Sequence, residues 1–310
     1  ASTVKVGSTH LQDAVPITFG QVFGSYSHAL SNCLEELEKT LQKMLELGIG
    51  GTAIGTGITA HPQFQEKTVN NLSSYTGMPF YPAKDNVELT WSCRHFAEVS
   101  GSLKITATEI IKIANDLMLL NSGPKTGIAE ITLPEVEPGS SIMPGKVNPS
   151  IPEAVIMTCY QIIGNDAAIT AAARHGQFEL NVMTPLISFN LLWSMNLLEN
   201  TCKMFRKYCV SEMKVNKQRC SELVEQSLSL VTALNAYIGY EVAAELVKIS
   251  LKENKTLKQV IEEHNLIPKE YLDKVLDTNA MTSPLEIDTE LKEKIQSSED
   301  FVKFREKLYS

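Results

Sequence analysis

The sequence lacks most of the signals that sort a chain quickly into a class. Its six cysteines, at 33, 93, 159, 202, 209 and 220, form no CxxC pair and no cysteine/histidine spacing that would suit a metal. Most fall inside helical patterns, which reads as reduced core thiols in a cytoplasmic compartment rather than a disulfide framework. No apolar run approaches the length needed to span a bilayer. The opening residues, ASTVKVGSTH, lack the basic-then-apolar order of a secretory leader, so no membrane partner is expected. Lysine and arginine form no cluster, and the net charge is -8. That excludes nucleic acid as the main partner, because phosphate binding needs a concentrated basic surface. An anionic small molecule would have to be met by positive charge built locally. Alternating strand patterns and internal repeats are missing too.

What is present is helical. With 310 residues, of which 43% are hydrophobic and 21% charged, the chain can bury a sizeable core. Leu34, Leu37, Leu41, Met44 and Leu45 lie at helical spacing within a long helix predicted over residues 21–47. A shorter helix is expected over 62–75, ended by Thr76-Gly77 and Pro79. Residues 85–120 carry only Gly101 as a breaker and no proline. As one helix they would extend about 50 Å, a length that belongs to elongated bundles. Further helices are predicted from Pro149 towards His175, and over 178–208 with Pro185 as a kink or restart. The composition shifts near Ser211 towards shorter, Glu- and Lys-rich segments, ending in a charged helical tail over 286–310. The expected fold is all-α: a central helical bundle over 1–210 and a small helical C-terminal domain over 211–310.

Two apparent nucleotide motifs fail on context. GIGGTA at 48–53 has the glycine spacing of a dinucleotide turn but follows a helix pattern and leads into TGITAHP. GSSIMPGKV has one residue too many between its glycines for a phosphate loop, and Val147 stands where a magnesium-binding hydroxyl is needed. No cofactor motif remains.

The informative stretch is PGSSIMPGKVNPSIPE, residues 138–153, set between two helical segments. Gly139, Ser140 and Ser141 can turn successive backbone N–H groups to one point, a nest for negative charge. Lys146 adds a cation, and Asn148 an amide able to orient a carboxylate. Pro149 suits the start of a helix, and Glu153 follows one turn on, where the dipole tolerates a carboxylate. As composition alone this is a binding loop or a linker. Thr9-His10-Leu11-Gln12-Asp13 and GQFELNVMTP (176–185) are the other candidates. In the second, Glu179 and Asn181 suit either ligands or a buried network that fixes helix packing. Histidines 28, 61, 95, 175 and 264 read as structural hydrogen-bonding groups.

Taken together, these stretches resemble the fumarase/aspartase superfamily. GSSIMPGKVNP matches its signature loop, and THLQDAVP, GGTAIGTG, SGPKTGIAEITLPE, IGNDAAIT, ELNVMTP and SLVTALNAYIGY follow in the family's order over roughly residues 4–285. The resemblance implies a homotetramer around a bundle of long helices, with each site shared between three subunits. It implies reversible anti-elimination from a small dicarboxylate: a proton leaves the carbon beside a carboxylate, ammonia or hydroxide leaves its neighbour, and fumarate forms without a cofactor or metal. Ser140 matches the base, with its alkoxide favoured by the nest and the lysine. Ser141, Lys146 and Asn148 match ligands of the substrate carboxylate. Thr9 and His10 match the pocket from a second subunit, and Glu153 the carboxylate that pairs with that histidine. THLQDAVP, PSIPE, PAKDNVE and ELNVMTP lean towards the ammonia-eliminating branch, GTGITAHPQF and GQFELN towards the hydratases.

The chain departs from the family pattern twice. Ser8 stands where the family reads arginine, removing a permanent cation with a bidentate donor geometry. The match also begins almost at residue 1, where the family carries an earlier domain with a Ser-Ser-Asn segment that binds substrate. The expectation is a fragment, a partner supplying that segment as a separate N-terminal chain, or a protein that has lost catalysis.

Overall fold

The computed structural model of the chain describes residues 1–284 and 286–308. Its contacts divide into two compact units, Tyr26–Lys214 in one and Ala1–Ser25 with Val215–Ser310 in the other. Helices dominate both.

The first unit opens on a hairpin that the sequence had hidden. β1 (Val4–Thr9) pairs antiparallel with β2 (Gln12–Thr18), from Val4 opposite Thr18 to Thr9 opposite Gln12, with a register shift between Val6 and Gly7. Only Lys5, Val6 and Pro16 of these strands are buried, so the inside–outside alternation of a half-buried strand is largely absent. Helices α7 (Lys217–Gln226), α8 (Val231–Ile238), α9 (Tyr240–Glu253), α10 (Leu257–Glu263), α11 (Lys269–Val275), α12 (Thr289–Gln296) and α13 (Glu299–Glu306) complete the unit. Val6 joins Leu234, Leu246, Ile261, Ile295 and Phe301 in one buried cluster. α12 and α13 start on Asp288 and Ser298, whose side chains cap Leu291 N–H and Phe301 N–H. They account for the charged tail, apart from residues 309–310, which lie outside the described residues.

The second unit is the long-helix bundle. It takes most of α1 (Phe19–Lys43), then β3 (Glu46–Leu47), α2 (Phe64–Thr76), β4 (Tyr81–Pro82), α3 (Asn86–Trp91), α4 (Arg94–Leu120), β5 (Ile131–Thr132), α5 (Ser150–Ala173) and α6 (Thr184–Phe205). α4 buries Val99, Leu103, Ala107, Ile110, Ala114 and Leu117, spaced three or four apart. This stripe packs on α5, whose buried face carries Val155, Cys159, Ile162 and Ile169, and α5 packs in turn on α6. Each fully buried Leu or Ile contributes about 1.5–3 kcal/mol. Polar pairs fix the helix register within this apolar contact. Ser100 Oγ and Lys104 Nζ each donate to the buried Asp166 at 2.7 Å, and Asn165 Nδ2 donates to Ser194 Oγ at 3.0 Å.

Two helix expectations need correction. Residues 85–120 are not one helix, because the chain is extended at Ser92 (φ -86, ψ 124) between α3 and α4. The Ser92 hydroxyl accepts from Arg94 N–H at 3.4 Å, a local side-chain bond that competes with the helical ladder. Residues 178–183 are not helical either, and Pro185 marks a restart of the kind expected at the first turn of a helix. Asn181 sets that junction. It is 2% exposed, donates to Ala172 O at 3.1 Å and Ala173 O at 3.0 Å, and accepts from Met183 N–H at 2.9 Å. Asn181 therefore joins the end of α5 to the start of α6, while Glu179 is exposed. Among the described residues no helix is long and apolar enough to cross a membrane.

Candidate active site

The loop over 138–149 leaves a fixed floor and re-enters one. On the incoming side Ile131 and Leu133 are buried, and Leu133 N–H donates to Asn121 Oδ1 at the end of α4, 2.9 Å away. On the outgoing side Pro149 stands just before α5, where its missing N–H leaves nothing unsatisfied. Pro152 and Val155 are buried below it, and Glu153 N–H makes a first helical bond to Pro149 O at 3.2 Å.

Between these roots the loop folds on itself. Gly139 has φ 72, and a Cβ there would meet Lys146 O at 2.3 Å, so only glycine lets the two limbs approach so closely. Ser140 N–H donates to Lys146 O at 3.3 Å across this contact, and Lys146 N–H to Met143 O at 3.2 Å. The amides of Ile142 and Met143 turn back and donate to Ser140 Oγ at 3.2 and 3.1 Å. The nest expected from the amides of Gly139, Ser140 and Ser141 is not what the loop shows: Ser140 N–H is used on Lys146, and the two converging amides meet on the serine oxygen itself. Two amide donors on one oxygen favour its ionised form over its neutral form. A serine followed two and three residues on by free amides is a turn the sequence permits, and the Ser-Ser-Ile-Met run of residues 140–143 was the available signal.

Lys146 Nζ donates to Asn148 Oδ1 at 2.6 Å, so the loop's cation and its amide already form a pair. Ser141 and Lys146 are exposed, and Ser140 and Asn148 are half-buried. Glu153 is exposed on the first turn of α5. Ser140, Ser141, Lys146, Asn148 and Glu153 therefore come from one continuous segment of the bundle unit.

Thr9 and His10 lie in the other unit. Thr9 ends β1 opposite Gln12, leaving His10 and Leu11 as a two-residue turn with φ 53 and 58. Both central residues of a type I′ turn need positive φ, which is ordinarily met by Asn-Gly. A histidine and a leucine held there are strained by about 1–2 kcal/mol each. Both side chains are exposed, Leu11 at 78%. The family resemblance singled out His10 but carried no sign of the strain, because nothing in Thr-His-Leu-Gln announces a turn.

Residues 1–164 match the family model described as Lyase, and residues 230–283 the one described as Fumarase C C-terminus. The aspartate ammonia-lyase of Pseudomonas canavaninivorans is 48% identical over 91% of this chain and 60% of its own length. The class II fumarate hydratase of Myxococcus xanthus is 44% identical over 90% of this chain, again covering 60% of that protein. Among solved structures, a fumarate lyase:delta crystallin from Brucella melitensis superposes with a TM-score of 0.88 and 43% identity, covering 91% of this chain and 62% of that one. The chain thus spans about three-fifths of the length of these relatives.

Proposed function

The chain belongs to the fumarase/aspartase superfamily of lyases, and from that premise we propose that it eliminates ammonia from L-aspartate, reversibly, to give fumarate. The observation that carries the reading is the Ser140 oxygen under the amides of Ile142 and Met143. The alkoxide takes the proton from the carbon beside one substrate carboxylate. The electron pair moves into that carboxylate as an enediolate-like dianion, then forms the double bond as ammonia departs from the neighbouring carbon, anti to the proton. Ser141, Lys146 and Asn148 bind the charged carboxylate, where the lysine answers the dianion that builds up. Thr9 and His10 complete the pocket of a neighbouring subunit, and Glu153 orients that histidine.

A homotetramer supports this sharing of residues. Met157 and Tyr160 on α5, with Leu186, Phe189 and Leu192 on α6, are all exposed apolar side chains on the bundle helices. Left in water they would form the kind of patch that marks a subunit contact. The cysteine thiols, five of the six buried, suit the cytoplasm.

The second reading is fumarate hydratase, favoured by the match of residues 230–283 to the fumarase C-terminal model and by the Myxococcus relative. Fumarate absorbance in separate cuvettes of aspartate and malate decides between them. Signal from aspartate alone is expected. Signal from malate alone would make the chain a hydratase, and silence from both would overturn catalysis by this chain on its own.

A further inference from the structure

Two residues outside the set above meet across the neck of the loop. Glu137 precedes Pro138, and Ser150 is the first residue of α5; the Ser150 hydroxyl donates to Glu137 Oε1. The bond spans thirteen residues in sequence and closes the loop into a ring outside the inner contact between Ser140 and Lys146. The neck is also seated. Val136 on one root and Pro149 and Ile151 on the other share a small cleft with Tyr208 and Cys209. These last two belong to a π turn over Arg206–Val210 that ends α6, where Ser211 N–H donates to Arg206 O at 3.0 Å. A π turn adds a residue to the helical turn, and here the result is a buried Cys209 beneath the loop roots.

We propose that Glu137 and Ser150 are positioning residues: their hydrogen bond fixes the spacing of the two roots, so that residues 139–147 move as one body and carry the Ser140 cradle intact. The proposal rests on Ser140 as the base. A hydroxyl-to-carboxylate bond is charge-assisted and short, stronger than the neutral bonds inside the loop. Glu137 is exposed, so the bond adds little to global stability. Its effect falls on geometry instead, where a small misplacement of the base slows proton transfer steeply.

The test uses the full chain with Glu137→Ala, Ser150→Ala, the double variant and Ser150→Thr, which keeps the hydroxyl. Amide hydrogen exchange is read at Ile142, Met143 and Lys146, alongside kcat and KM. The expected result is about tenfold faster exchange and about tenfold lower kcat with little change in KM for each alanine variant. The double variant should be no worse than the singles, and Ser150→Thr should behave as the parent. Unchanged exchange in either single variant, or additive acceleration in the double, would overturn the clamp. If the parent chain turns over neither substrate, the role of Ser140 falls while the exchange pattern still decides the clamp.

Discussion

The hairpin tip at His10 and Leu11 and the loop over 138–149 both present polar side chains from irregular backbone, yet they are held by opposite means. The tip places positive φ on two residues with side chains and is kept there by the β1–β2 ladder, whose Val6 is rooted in a hydrophobic core. The loop puts its positive φ on Gly139 and Gly145, which adopt it without strain, and is shaped by hydrogen bonds among its own residues. A strained two-residue turn on a sheet can hardly move without breaking its ladder. A glycine-hinged loop with few buried contacts can open locally. The difference suits the proposed division of labour: a fixed histidine to bind substrate, and a base on a loop that closes and excludes water.

Removing the base strikes at the loop's half of that contrast most strongly. Ser140→Ala is expected to lower turnover by at least about a thousandfold without changing the melting temperature. Near-normal fumarate production by that variant would sink the assignment. Gly139→Ala comes next, since its Cβ would collide with Lys146 O and force the limbs apart. A loss of about a hundredfold in kcat with an intact fold is expected, because the loop holds no core. At the tip, His10→Asn retains a residue that tolerates positive φ while deleting the imidazole. It should raise KM by roughly tenfold and leave unfolding by urea unaltered, and a large drop in stability would show that His10 is structural.

Backbone strain gives a smaller and opposite signature. Leu11→Gly relieves the left-handed leucine and should stabilise the first unit by about 0.5–1 kcal/mol in urea titrations. A destabilised variant would mean that the turn is not strained and would erase the contrast with Gly139. The mildest effect concerns Cys209 below the loop roots. Burial pushes its thiol up to about 12, so the thiolate is scarce at mildly alkaline pH and alkylation should be slow in the folded chain. If Cys209 reacted as fast as a free thiol, the neck itself would be opening.

The same two regions show how much could be read beforehand. GSSIMPGKVNP announced an irregular loop through its glycines, prolines and serines, since each of those residue types restricts or frees the backbone in a known way, while composition alone left a binding loop and a linker both open. The long helices were legible for a similar reason: Val99 to Leu117 repeat at helical spacing. The hairpin was not, because its turn is made by a histidine and a leucine and few of its strand residues are buried. Nor was the grouping of residues 1–25 with 215–310, which rests on contacts between residues more than two hundred apart, such as Gln21 Nε2 donating to Thr282 O at 2.7 Å. The break at Ser92 escaped because it rests on one local bond, from Arg94 N–H to the Ser92 hydroxyl, inside an otherwise helical pattern. Asn181, by contrast, suits either a ligand or a buried packing network from its sequence, and it takes the second role. Asn181 N–H lies 3.4 Å from Thr90 O, a tertiary contact with no local spelling. In the loop, the residue types pointed to converging amides, while which amides converge, and on what, depended on Lys146 having taken the N–H of Ser140.

Proton abstraction by Ser140 from a carbon acid is the centre of the account, and isotope exchange reads it without relying on product release. The parent chain and Ser140→Ala would each be brought to equilibrium with aspartate, ammonia and fumarate in deuterated water, with malate run in parallel, and the substrate's methylene followed by proton NMR. Deuterium entering that methylene with the parent and staying out with Ser140→Ala is the predicted result. Incorporation at the parent's rate in the variant would contradict it and move the base to another residue.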